Sequence, residues 1–164
     1  MKRLITTLIL IITALCFCGC GDDTSEVSNH ERPIINLCSS LEHSDKEAYL
    51  NCFVPAARKA YLNSDSSSSG SKDIIDTVIK NSGLEENRSL SCDIIGKREL
   101  ASADREKLER QYKSDYAKNV TFEKAFQIDA GIVSSKGTDI RKFTVVLLDD
   151  SWYIYGEVIE KFSF

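Results

Sequence analysis

Cys16, Cys18 and Cys20 place three thiols within five residues, at the end of an apolar run. Thiols this close could hold zinc, exchange disulfides or accept a covalent lipid. Structural zinc sites need shaped loops that present four ligands tetrahedrally. These cysteines instead follow residues 4–15, which are almost wholly apolar and are preceded by Lys2 and Arg3. A charged start, an oily centre and small residues at the exit form the layout of a secretory signal. A spanning helix wants about 20 apolar residues, and the run reaches that length only if the cysteines count as oil. The polar stretch beginning at Asp22 stops it. No metal is expected here.

On these residues the N-terminus resembles a bacterial lipoprotein signal, whose cleavage motif is an apolar residue, two small residues and a cysteine. Leu15 before Cys16 and Phe17 before Cys18 are too bulky for the small position. Cys20 fits, with Phe17, Cys18 and Gly19 ahead of it. The resemblance implies a signal peptide over 1–19, lipid on Cys20 and a lipidated tether over 20–32. It also implies an extracytoplasmic location in the cell envelope, with the membrane as a partner through the anchor. Loss of Lys2 and Arg3 takes Lys+Arg from 21 to 19 against 25 acids, a net charge of −6. That balance argues against a nucleic-acid partner. Gly21 to Arg32 lacks periodicity, and about 6 Å × √12 gives a leash of roughly 20 Å.

Few other residues suggest chemistry. His30 falls in the tether and His43 near a helix end, so neither reads as an oriented base. Lys124 interrupts the apolar alternation of Val120, Phe122, Phe126 and Ile128. It could be a pKa-shifted lysine in a pocket, but a bulge or strand end that lets the ammonium reach water is the favoured reading. Tyr112, Tyr116 and Trp152 read as core with satisfied polar tips. There is no Gly-rich phosphate loop, no His-Glu helix motif and no Gly-x-Ser-x-Gly elbow. No cofactor is expected.

The elements that must position these residues sort into helices first and strands later. Pro33 opens a helix whose Ile34, Leu37, Cys38 and Leu41 share a face. Ser44 and Asp45 break it and cap a second helix with Ala48, Tyr49, Cys52 and Phe53 on its apolar side. Pro55 starts a further turn carrying Tyr61, and the serine-rich run 64–71 reads as a flexible loop. Ile74, Ile75, Val78 and Ile79 form a helical stripe ending at Gly83. Leu90, Cys92 and Ile94 then alternate as a strand. Ser102 is placed to cap a helix lined by Leu108, Tyr112 and Tyr116. Strands are expected from Val120 to Ile132, over 140–148 and over 152–159, joined by short turns. Helices that precede such a meander must cover its apolar face, which is the α+β arrangement.

Removing the signal leaves Cys38, Cys52 and Cys92, an odd set. If the first two helices fold back at Ser44, Cys38 and Cys52 face each other, which predicts a Cys38–Cys52 disulfide beside a free, buried Cys92.

The helical start with Phe53-Val54-Pro55, the strand over 90–95, the helix over 102–116 and the closing hairpin around Asp149-Asp150-Ser151-Trp152-Tyr153-Ile154 resemble the nuclear transport factor 2-like superfamily. The resemblance implies a domain over 33–164 in which N-terminal helices pack on a curved antiparallel sheet, the cystatin-like roll, around an apolar cone. Phe53, Tyr61, Tyr112, Phe122, Phe126 and Trp152 are the candidates to line that cone. Relatives include isomerases and dehydratases, binding proteins and packing domains. The expected inner face carries phenols but no carboxylate or imidazole, because Asp93, Glu123 and Asp129 alternate outward. General base catalysis needs such a group within reach of the substrate. The expectation is therefore a non-catalytic module for a small apolar ligand or an envelope protein, with a second copy as a further partner. An isomerase-like enzyme and a structural accessory of an envelope complex are the alternatives.

Overall fold

The computed structural model describes residues 28–65 and 73–164. The signal peptide, Cys20, the tether as far as residue 27 and most of the serine-rich run lie outside these. Helix α1 (Arg32–Glu42) begins with Pro33 in its first turn and buries Ile34, Leu37, Cys38 and Leu41. Ser44 breaks it with a left-handed φ of 57°. Asp45 then caps α2 (Lys46–Asn51), its carboxylate accepting the Ala48 N–H at 2.9 Å. Helix α3 (Pro55–Asp65) starts at its proline and runs through Ser64, so the expected loop does not begin there. Asp73 caps α4 (Ile74–Ser82) through the Ile75 N–H at 2.9 Å. The end of α4 is a Schellman motif. Gly83 (φ 67°) donates to the Lys80 carbonyl and Leu84 donates to the Ile79 carbonyl, which satisfies orphan acceptors that only a left-handed residue lets the chain reach.

Strands β1 (Ser91–Glu99), β2 (Lys124–Ser134), β3 (Gly137–Leu148) and β4 (Ser151–Tyr155) form an open antiparallel sheet in that order, with α5 (Ser102–Tyr116) between β1 and β2. Cys92 lies opposite Ile132 and Ile94 opposite Ala130, but the register shifts between Ile94 and Gly96. An extra residue in one strand reverses its alternation. Lys97 and Glu99 consequently pair with Ile128 and Phe126 and join the helix-facing side. Helix α1 packs on that side against β1 and β4. The outer edge of β4 is not open. Val54 N–H donates to the Ile154 carbonyl at 3.0 Å and Ile154 N–H to the Cys52 carbonyl at 2.7 Å, as a short parallel bridge.

Ile128, Ala130, Ile132, Val145 and Ile154 fill the helix-facing side, while Ala125 and Val146 are sealed on the other. Three expected boundaries move. Strand β2 starts at Lys124, not Val120, because the Phe122 N–H is taken by the Glu109 carboxylate at 2.8 Å. Lys124 is therefore the exposed first residue of a strand. Helix α5 has Ala101 as its cap, without a side-chain bond, in place of Ser102. Strand β4 ends at Tyr155 and not at 159. Beyond it the tail folds back, with Phe162 buried, its N–H on Ser82 Oγ at 2.8 Å and the Arg141 guanidinium 5.0 Å over its ring. Asp139 fastens this tail by accepting from Arg141 at 2.6 Å and from the Ser163 N–H at 2.9 Å.

Candidate functional site

The six expected cone residues do not converge. Phe53 is in the core, its ring 5.7 Å from that of Tyr49. Phe126 and Trp152 meet at 5.7 Å on the helix-facing side of the sheet. Tyr112 and Phe122 pack edge to face at 5.8 Å, and both approach Tyr155, which alternates to the opposite side. Tyr61, on α3, is partly buried against the core.

His30 corrects the reading more sharply. It was placed in the tether, yet its imidazole stacks on Phe126 at 4.1 Å and meets Trp152 edge-on at 5.7 Å. Next to it Glu31 is 8% exposed and accepts from Lys97 Nζ at 2.7 Å and from the Ser28 N–H at 3.1 Å. The bulge in β1 is what turns Lys97 toward this carboxylate. Burial favours the neutral imidazole and Lys97 adds to the effect, so the His30 pKa lies below 6.5. Burial works against ionisation of Glu31, but the Lys97 and Ser28 hydrogen bonds outweigh it and hold its pKa below 4.5. His30 Nε2 is buried with no hydrogen-bond partner, 4.0 Å from the Glu31 carboxylate. An imidazole and a carboxylate do therefore meet here, on the helix-facing side of the sheet. Asp93 is exposed on the outer face, and Asp129 pairs there with Lys142 at 3.9 Å.

This arrangement has a pH signature. Because the folded-state pKa of His30 is depressed, the unfolded chain binds an extra proton between the two values. The contribution is fully present above about pH 6.5 and is lost as pH falls through the folded value. The melting temperature should fall on acidification from pH 6.5, and His30→Phe, which keeps the stacked ring, should remove that part of the slope. The Glu31 contribution is lost in a separate window, below 4.5. Identical slopes for the two proteins between about pH 7 and pH 5.5 would contradict the assignment.

A concave feature lies elsewhere. A cleft of about 830 Å³ opens between α3, the end of α5 and the residues after β4, lined by Tyr61, Tyr116 and Tyr155. Asp115, Glu157, Glu160 and Lys161 also line it, three carboxylates to one ammonium. The Tyr155 hydroxyl is buried and has no hydrogen-bond partner. Burial, then the Asp115 carboxylate and the neighbouring phenols, push its pKa up to about 12, so it stays a neutral donor. Tyr112 differs because its oxygen takes a hydrogen bond from the backbone of Ala56, in the first turn of α3. No family model, curated protein or solved structure matches the chain. The cleft is thus interpreted on its own chemistry.

A second groove, of about 710 Å³, runs beside α1 and α2 and is lined by Arg32, His43, Asp45 and Arg58. Its polar groups are largely occupied with one another: Asp45 caps α2, Arg58 donates to Asn51, and His43 bonds the Ser39 carbonyl. Among the described residues no three His, Cys, Asp or Glu side chains gather to hold a metal, and no helix is long and apolar enough to cross a membrane. Tyr155 was missed from sequence because the expected strand ran on to 159, which left no room for a cleft at its end. The aromatic run of Trp152, Tyr153 and Tyr155 was the available signal.

All three thiols of the described residues are free. Cys52 donates to the Ala48 carbonyl at 3.2 Å within its own helical turn. No disulfide joins Cys38 to the expected Cys52, and Cys92 is the thiol that acts most strongly on Cys38. The α1–α2 hairpin lays its Cys38 face on β1, which is where Cys92 stands.

Proposed function

We propose that this chain is a lipid-anchored envelope protein whose domain, a variant of the nuclear transport factor 2-like roll, binds a small ligand without transforming it. The lipoprotein-like signal and Cys20 support the anchor, and the order of helices and strands supports the roll. The observation that carries the binding reading is the buried, unpartnered Tyr155 hydroxyl of a cleft lined with tyrosines. A buried polar group without a partner needs an explanation, and a ligand that completes its hydrogen bonding is one. Ligand sites combine apolar and aromatic walls with a few convergent polar groups. Aromatic faces with three carboxylates favour a cation, so the ligand class is a small amine with an apolar body.

Tyr155→Phe separates binding from stability. Removing an unsatisfied hydroxyl should leave the melting temperature unchanged or raise stability by up to ~1 kcal/mol, while weakening the ligand. Calorimetric titration with benzylamine and benzyl alcohol tests this. Benzylamine should bind roughly threefold or more tighter than the alcohol, and the variant should lose most of that binding. If neither probe binds, or if Tyr155→Phe melts several degrees lower with binding intact, the cleft is not the site.

A further inference from the structure

The second residue of β1 and the middle of α1 bring two thiols together across the helix–sheet interface. Cys38 is almost fully buried on the inner face of α1, beside Ile34, Leu37 and Leu41. Cys92 is half-buried on the helix-facing side of β1, opposite Ile132. The two side chains lie close enough to interact across that interface. We propose that Cys38 and Cys92 are a dithiol site that an external disulfide oxidises to an intramolecular Cys38–Cys92 disulfide, stapling α1 to the sheet. The inference is independent of the tyrosine cleft and does not rest on the binding reading.

The two sulfurs have unequal roles. Cys92 is the more exposed of the pair, so an external reagent meets its sulfur first, and the thiolate is the attacking form. The neighbouring Cys38 lowers the pKa of Cys92 against the opposing effect of burial, and the neighbouring Cys92, with burial, raises that of Cys38. The Cys92 thiolate attacks a small disulfide R–S–S–R, breaking its S–S bond and expelling one RS⁻. The Cys38 thiol then gives its proton to solvent and attacks Cys92 Sγ, expelling the second RS⁻. Two electrons and two protons leave the protein, which becomes a disulfide, and the reagent becomes two RSH. Forming the bond brings the two sulfurs to about 2.0 Å. Cys52 takes no part, since its thiol is occupied by Ala48.

The experiment uses the purified full chain and oxidised glutathione, followed by alkylation without reduction and cleavage after glutamate. Glu31 and Glu42 isolate Cys38, Glu47 and Glu85 isolate Cys52, and Glu86 and Glu99 isolate Cys92. The expected product is the 32–42 peptide linked to the 87–99 peptide, with Cys52 alkylated. Oxidation should raise the melting temperature by roughly 10 °C, as closure of a long loop does. Cys52→Ala should keep both the linkage and the shift, and Cys92→Ser should lose both. A Cys38–Cys52 linkage, glutathione retained on Cys92 with Cys38 alkylated, or three alkylated thiols would each overturn the proposal.

Discussion

Phe53→Ala is expected to lower stability by about 3–5 kcal/mol, measured as a drop in the urea midpoint with little change in slope. Phe53 is 1% exposed and packs on Tyr49, whose hydroxyl in turn holds the Ile159 carbonyl at 2.7 Å. Its backbone lies in the segment that seals β4 through Val54 and Ile154. Truncation therefore opens a cavity where helix, sheet and tail meet, and the hydrogen-bonded neighbours restrain its collapse. Total stabilities of such domains are about 5–15 kcal/mol, so the variant should be marginal at 37 °C. Leu62→Ala is the control: Leu62 is 45% exposed, and surface changes of this kind usually stay within about 0.5 kcal/mol. Equal losses for the two variants would mean that Phe53 does not occupy the junction assigned to it.

Cys20→Ser is the second large effect, because it removes the atom that the proposed anchor would acylate. The variant should lose incorporation of a labelled fatty-acid analogue and appear in the soluble fraction or as unprocessed precursor. The domain should keep its fold, since its described core runs from Ile34 to Phe162. Comparing melting curves of the released variant and the parent separates anchoring from folding. Label that persists in Cys20→Ser and vanishes in Cys18→Ser would move the anchor to Cys18.

Periodic apolar residues made the secondary structure legible. The α1 face of Ile34, Leu37, Cys38 and Leu41, the cap at Asp45, the stop at Gly83 and the β2–β3–β4 meander all follow from local chemistry. The misplacements have long-range causes. The start of β2 shifted because Glu109, thirteen residues back, claims the Phe122 N–H. β4 ends early, and the chain beyond it turns back to bury Phe162 beneath Arg141. His30 looked like tether because no pattern surrounds it, and its docking depends on Phe126, Trp152 and a lysine turned inward by a bulge. The thiol pairing depended on the same kind of information, namely which face of α1 meets β1. The candidate cleft was the least legible part, since it forms where three separated segments end near one another.

The short parallel bridge along β4 also governs polymerisation. With β4 occupied by residues 52–54, β1 is the open edge of the sheet among the described residues. A sheet open on both sides can accept copy after copy, whereas one open on a single side can pair once and then presents no further edge. Along β1 the bulge at Ile95 interrupts the register a partner strand would need, and Lys97, Arg98 and Glu99 put charges on the same stretch. Growth of fibres by strand addition is thereby blocked at the level of topology. The exposed apolar side chains of the sheet lie instead on its outer face, where Ile95 and Ile140 are 60% and 70% exposed.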